Sequence, residues 1–167
     1  MMTEEITETR QYLSFELEGE EFALDISRVR EVLDFTRITR VPQTPDFMQG
    51  VINLRGAVVP VVDLNMKFGN RTTGKTTDTR IIISEVAMDG EQTVLGVLAD
   101  AVNEVMDIEP DHIEPAPKIG TKLNTDFLKG MGKRNEEFIM ILDIDKVFSS
   151  EEMALISRNE PAAGVAA

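Results

Sequence analysis

Residues 47–64 read Phe-Met-Gln-Gly-Val-Ile-Asn-Leu-Arg-Gly-Ala-Val-Val-Pro-Val-Val-Asp-Leu, and the reading of this stretch decides the fold. Val51, Ile52 and Leu54 form one apolar run and Val58 to Val62 a second, with Arg55-Gly56 between them. β-Branched runs joined by a residue pair containing glycine read as two strands and a tight connection. Pro60 has no N–H to give a ladder, so the second run is expected to be an edge or bulged strand at that point. Arg55 is thereby held at a turn by two anchored strands, a place where binding residues concentrate.

Upstream of this hairpin, Tyr12, Ser14 and Glu16 alternate with Leu13, Phe15 and Leu17, the pattern of a half-buried strand. Glu18-Gly19-Glu20 turns the chain and Glu21 to Leu24 return beside it. A short helical turn is expected over residues 26–29, then extended chain to Phe35, and Pro42 and Pro45 bracket a loop into the central hairpin. Downstream, Asn65 to Phe68 read as one helical turn, and the polar residues 69–78 as a loop between two lobes. Arg80 to Ala87, Thr93 to Leu98, Ala101 to Ile108 and Phe138 to Ile144 are the further strands, with Asp89-Gly90 as a hairpin turn. Prolines 110, 115 and 117 mark a surface loop, and Phe127 to Gly132 read as another short connection. Ser149 with Glu152 three residues on fits a capping box, followed by Met153, Leu155 and Ile156 as the apolar face of a terminal helix. Eight to ten short strands and one real helix mean an all-β barrel or sandwich rather than a doubly wound α/β sheet.

The composition narrows the function. A net charge of −13 repels phosphate backbones, so nucleic acid is not an expected partner. With no Trp and one Tyr there is no aromatic platform for stacking bases or sugars. The absence of cysteine excludes disulfides and zinc–thiolate sites. No apolar run approaches the length of a membrane span, and the acidic, polar start is unlike a signal peptide.

Gly69-Asn-Arg-Thr-Thr-Gly-Lys-Thr76 satisfies G-x-x-x-x-G-K-[ST] letter for letter. A phosphate loop, however, must open directly into a helix whose first N–H groups hold the phosphates. Here Thr77, Asp78 and Thr79 lead into Ile81-Ile82-Ile83, which is β-prone chain. His112, the only histidine, has no Ser or Cys to activate. Asp63, Asp100, Asp107 and Asp143 end strands, where aspartate commonly serves turn chemistry. No enzyme, cofactor or metal site is therefore expected.

Several stretches, in order along residues 11 to about 156, resemble the CheW-type chemotaxis coupling proteins. They are Leu-Asp-Ile-Ser-Arg-Val-Arg-Glu-Val, Gly-Val-Ile-Asn-Leu-Arg-Gly, Val-Pro-Val-Val-Asp-Leu, Ile-Glu-Pro-Ala-Pro and Ser-Ser-Glu-Glu-Met-Ala-Leu. The resemblance implies two intertwined SH3-like five-stranded β-barrels with a short C-terminal helix. They would form a single domain over residues 11–158, with disordered termini at 1–10 and 159–167. It implies a non-catalytic scaffold, cytoplasmic and monomeric when free, with no direct membrane insertion. Such a scaffold joins the cytoplasmic hairpin of chemoreceptors to the regulatory domain of the histidine kinase CheA in signalling arrays. By the same resemblance Val29, Glu31 and Arg55 line the receptor side, and Val58, Glu114 and Ile119 belong to kinase-facing or ring-forming surfaces. The family commonly carries a basic residue before Pro-Ala-Pro, where this chain has Glu114.

Overall fold

A computed structural model describes residues 8–88, 90–115 and 125–158. Its strands are β1 (Arg10–Leu17), β2 (Glu20–Asp25), β3 (Val29–Asp34), β4 (Met48–Leu54), β5 (Ala57–Asp63), β6 (Arg80–Met88), β7 (Glu91–Ala99), β8 (Ala101–Ile108), β9 (Ile113–Glu114), β10 (Leu128–Arg134) and β11 (Glu137–Leu142). Three helices accompany them: single turns α1 (Leu64–Lys67) and α2 (Ile144–Val147), and the terminal α3 (Ser150–Arg158). The strands form two curled sheets, ordered β8-β1-β2-β11-β10-β9 and β3-β6-β7-β5-β4. The chain begins in the first sheet, builds the whole of the second, and returns to finish the first. This is the expected pair of intertwined lobes, with the two-residue β9 as a sixth strand in one of them.

Each sheet closes on itself by letting one edge strand run on to meet the other edge. In the second sheet the chain continuing from β3 bridges β4, Thr39 and Val51 exchanging N–H···O bonds of 2.9 and 2.8 Å. In the first, β8 continues through a 3₁₀ turn into β9, which pairs with β10. The crossing is close in both lobes. A Cβ on Gly50 would lie 2.0 Å from the Thr39 carbonyl oxygen, and one on Gly130 would lie 2.9 Å from that of Glu114. Gly50 also has φ +143°, a conformation that side chains rarely adopt.

This equivalence extends along the chain. Residues 46–68 and 126–148 repeat with an offset of 80 (Phe47 to Phe127, Phe68 to Phe148), keeping Asp-Phe-x-x-Gly, a later Asp and a final Phe. Both segments build a hairpin with the same one-residue register shift, at Met48/Gly50 and at Leu128/Gly130. The N–H of Asp63 donates to the Phe47 carbonyl at 2.7 Å, and that of Asp143 to the Phe127 carbonyl at the same distance. Each Asp then caps its single helical turn, accepting from Asn65 N in one lobe and Asp145 N in the other. The second sheet is thus a circular permutation of the first: β1 and β2 play the part of β6 and β7.

The main core lies between the lobes. Leu13, Phe15, Leu17, Phe22 and Leu142 from one sheet meet Met48, Val62, Ile82, Leu95 and Val97 from the other, with Met153 and Ile156 of α3 closing it. Smaller clusters fill each barrel, around Ile52, Val61 and Ile81 in one and around Tyr12, Ile139 and Ile141 in the other.

Two readings of the sequence are corrected. Residues 128–134 are strand β10 and not a connection. Gly130 and Gly132 hide the apolar alternation; at Gly130 a bare backbone is required because Ile113 and the Glu114 carbonyl lie against it, and at Gly132 the Ile108 side chain packs close. Residues 69–79 join α1 to β6 within one lobe and do not link the lobes. Thr73 ties this loop down, donating its N–H and hydroxyl to the buried Asp63 carboxylate at 2.8 and 2.7 Å. The loop leads into β6 without a helix, and Lys75 lies over the Phe35 ring at 4.8 Å. The phosphate-loop reading therefore has nothing to support it. Strand β5 lies between β7 and β4, yet at Pro60 it keeps the free edge that the missing N–H was expected to need. Pro60 is accommodated because pairing with β7 begins only at Val61, and because the polar groups of Val51 opposite it turn away to Thr39. The Asp89-Gly90 turn is half outside the described residues; Gly90 has φ +81°.

Two substitutions test this account. Gly50→Ala should destabilise by at least about 2 kcal/mol in chemical denaturation, because the new Cβ collides with backbone at the barrel seam. A midpoint within error of the parent would mean the seam is looser than described. The capping box is present as expected, with Glu152 N to Ser149 Oγ at 3.0 Å and Ser149 N to Glu152 Oε1 at 2.8 Å. Ser149→Ala should cost about 0.5–2 kcal/mol.

Candidate functional site

The β4–β5 hairpin ends in a two-residue turn, Leu54 pairing with Ala57 across Arg55 (φ +51°) and Gly56 (φ +89°). Two positive φ values define the primed turn whose twist matches that of its strands. Asn53 Oδ1 accepts from Gly56 N at 2.8 Å and fixes the turn from one side. Arg55 therefore leaves the sheet in a set direction, with its side chain largely in solvent.

Its direction takes it across the barrel seam. Arg55 makes a two-pronged contact with Glu31 of β3, Nη1 to Oε1 at 3.3 Å and Nη2 to Oε2. The two residues stand 24 apart in sequence, Glu31 on β3 and Arg55 in the turn that follows β4, strands at opposite ends of the sheet order that barrel closure alone brings together. A planar guanidinium gripping both carboxylate oxygens has a geometry that lysine cannot copy. The contact holds the Glu31 carboxyl below its ordinary pKa and raises that of Arg55.

Val29 opens β3, half-buried and packed against the main core, opposite Ser84. A register shift follows it, and Arg30, outside the ladder there, pairs through Nε with the Glu85 carboxylate at 3.0 Å. Val32 on the same strand exposes 38% of its surface, one of few large apolar side chains to do so among the described residues. The structure thus brings Glu31 and Arg55 together, with Val29 two residues earlier on the same strand and turned toward the main core.

Val58 lies on the same hairpin, in an open groove with Arg30, Leu54, Arg55, Glu91 and Val94. Glu114 is on the other lobe, exposed on β9, with its carboxylate 3.5 Å from Lys133 Nζ. Ile119 lies outside the described residues. The lobes thus separate Val58 from Glu114.

Residue-by-residue reading missed the polar ties between the lobes. The guanidinium of Arg28 meets the Asp145 carboxylate with both nitrogens and also reaches the Glu85 carbonyl at 3.0 Å. Lys67 Nζ sits 3.1 Å from Glu152 and within 5.5 Å of the ring centres of both Phe47 and Phe127. The repeat with offset 80 is the signal that could have pointed to both, since Lys67 and Asp145 lie within its copies. Among the described residues no three His, Cys, Asp or Glu converge as metal ligands, and His112 is exposed, its Nδ1 3.9 Å from the Glu109 carboxylate.

The CheW-like domain family matches residues 11–152. The chemotaxis protein CheW of Klebsiella aerogenes is 37% identical over 147 residues, which covers 88% of this chain and 86% of that protein. Its counterpart in Bacillus subtilis is 31% identical over 151 residues, covering 90% and 94%. Among solved structures, the scaffolding protein TtCheW from Thermoanaerobacter tengcongensis superposes with a TM-score of 0.76 at 38% identity, covering 86% of this chain and 94% of that one.

The Glu31–Arg55 contact carries its own test. A depressed carboxyl pKa means the pair persists at neutral pH and is lost only as pH falls through that lowered value. Carboxyl-carbon NMR should show Glu31 titrating below the ordinary glutamate range, and Arg55→Ala should return it to that range. Identical midpoints in the two proteins would mean the contact does not form in solution.

Proposed function

The chain belongs to the CheW-like domain family, and from this premise we propose that it couples the cytoplasmic hairpins of chemoreceptors to the regulatory domain of the histidine kinase CheA. It is a chemotaxis scaffold, of a family of non-catalytic adaptors. Among the described residues no helix is long and apolar enough to cross a membrane. On the proposed reading, the protein works in the cytoplasm and reaches the membrane by joining receptor arrays. The observation that carries the receptor site is the two-pronged Glu31–Arg55 contact across the barrel seam, beside half-buried Val29 and exposed Val32.

A receptor tip is a helical hairpin, and a helix docks by laying apolar side chains against an apolar strip and setting its register with charge. Val29 and Val32 supply the strip. The Glu31–Arg55 pair supplies opposite charges at a fixed spacing, and neither group needs to be ordered on binding. Val58, in the groove beside Arg55, belongs on this reading to a kinase-facing surface. Glu114, exposed on the other lobe, belongs to a second, ring-forming surface, to which the family resemblance also assigns Ile119. Opposed lobes suit a protein that must touch a neighbour on each side.

Arg55→Ala tests the proposal. The pair is exposed and supports little of the fold, so circular dichroism and the thermal midpoint should stay close to the parent. Affinity for a receptor cytoplasmic fragment should fall about tenfold or more, as for a central contact, and receptor-dependent activation of CheA should fall with it. Arg55→Lys should restore only part, since a single point charge replaces a fork. A folded Arg55→Ala protein with parental affinity removes the residue from the site.

A further inference from the structure

The chain passes between the lobes twice, after β2 through residues 26–28 and after β7 at Asp100. Each passage is held by the residue two places beyond the repeated aspartate. Asn65, beyond Asp63, donates from Nδ2 to Asp100 Oδ2 at 3.2 Å, and the same oxygen accepts from Glu18 N at 2.8 Å, in the β1–β2 turn. Asp145, beyond Asp143, takes the Arg28 guanidinium on both oxygens and accepts from Ala87 N at 2.7 Å, near the β6–β7 turn. The two ties occupy equivalent places in the permuted lobes, and each joins three points: a single helical turn, a passage, and the far lobe.

They differ in chemistry. The first rests on the fully buried Asn65. The second is an ion pair whose side chains are 28% and 26% exposed, and it adjoins the functional strand. Val29 is the next residue after Arg28. Arg28 also donates to the carbonyl of Glu85, whose carboxylate holds Arg30. Asp145 of one lobe therefore grips the residue from which β3 of the other lobe starts.

We propose that the Arg28–Asp145 pair is an inter-lobe clasp that sets the angle between the lobes and so positions Val29 and Glu31 for the receptor, with Asp145 as a positioning residue remote from the contact. The proposal rests on the receptor reading given above. A charge-assisted two-pronged bond has a narrow geometry, so the clasp defines orientation as well as proximity. Opening it leaves the apolar core, which is non-directional, with the Asn65–Asp100 tie and the Lys67–Glu152 pair, and neither of those polar contacts reaches β3.

The absence of cysteine makes the test direct. Nitroxide labels on Glu20→Cys and Glu91→Cys, exposed residues on opposite lobes, report the inter-lobe distance by double electron–electron resonance. Asp145→Asn keeps an acceptor for Ala87 N and removes the charge. It should broaden or shift the distance distribution and weaken receptor-fragment binding about fivefold or more, the range of coupling between separate sites. Arg55→Ala should weaken binding with the distribution unchanged. Arg28→Gln is the second variant, should Asp145→Asn fail to fold. A parental distribution in Asp145→Asn, or a shifted one with parental affinity, overturns the proposal, and so does unfolding of both variants, which makes the pair simply structural. Parental binding by Arg55→Ala alongside a shifted distance in Asp145→Asn overturns the receptor reading instead.

Discussion

The apolar core shared by the two lobes is the constraint on which the rest of the structure depends. Neither sheet buries its outer face alone; each covers the other's, and α3 caps the joint. The aromatic side chains of the repeat cross over. Phe47 packs on Phe148 with ring centres 5.5 Å apart, and Phe127 on Phe68 at 5.6 Å, so each copy supplies one ring to each pair. Such pairs add to their area of burial through ring-on-ring geometry, and these also fix one lobe's helical turn against the other's hairpin. Lys67 lies beside both pairs with its charge satisfied by Glu152.

From that joint the geometry passes outward by short steps. The core holds β3 and the β4–β5 hairpin, the seam at Gly50 brings them edge to edge, and the primed turn aims Arg55 across the seam at Glu31. Each step replaces a flexible degree of freedom by a backbone contact. A surface ion pair contributes little to stability, but one built on such a frame presents two opposite charges at a fixed spacing. That suits recognition better than it suits holding the fold.

Much of this was legible in the sequence, and the gaps have physical causes. The Val51–Val62 hairpin, the Glu18-Gly19 turn and the Ser149 capping box rest on chemistry within a few residues, and all three stand where periodicity placed them. Strand β10 escaped because its glycines, which answer to the closeness of β9 and Ile108, erase the alternation that marks a strand. The loop after α1 was read as a link between lobes because its polar composition looks the same whether it leaves a lobe or, tied to Asp63 by Thr73, stays within one.

The sequence by itself determined the all-β class and the position of Arg55 at a rigid turn, and its ordered motifs carried the resemblance to the coupling family. These follow from local rules: side-chain alternation, turn residues that tolerate positive φ, and the types of side chain present. Only the tertiary structure decided that Glu31 meets Arg55, that Asp145 holds Arg28 and that the lobes are permuted copies joined by exchanged aromatic rings. Glu31 and Arg55 are 24 residues apart and Arg28 and Asp145 are 117. At such separations a side chain's identity does not say which partner it meets. The path of the backbone decides, here through a seam that admits only glycine and a core that no single lobe can close.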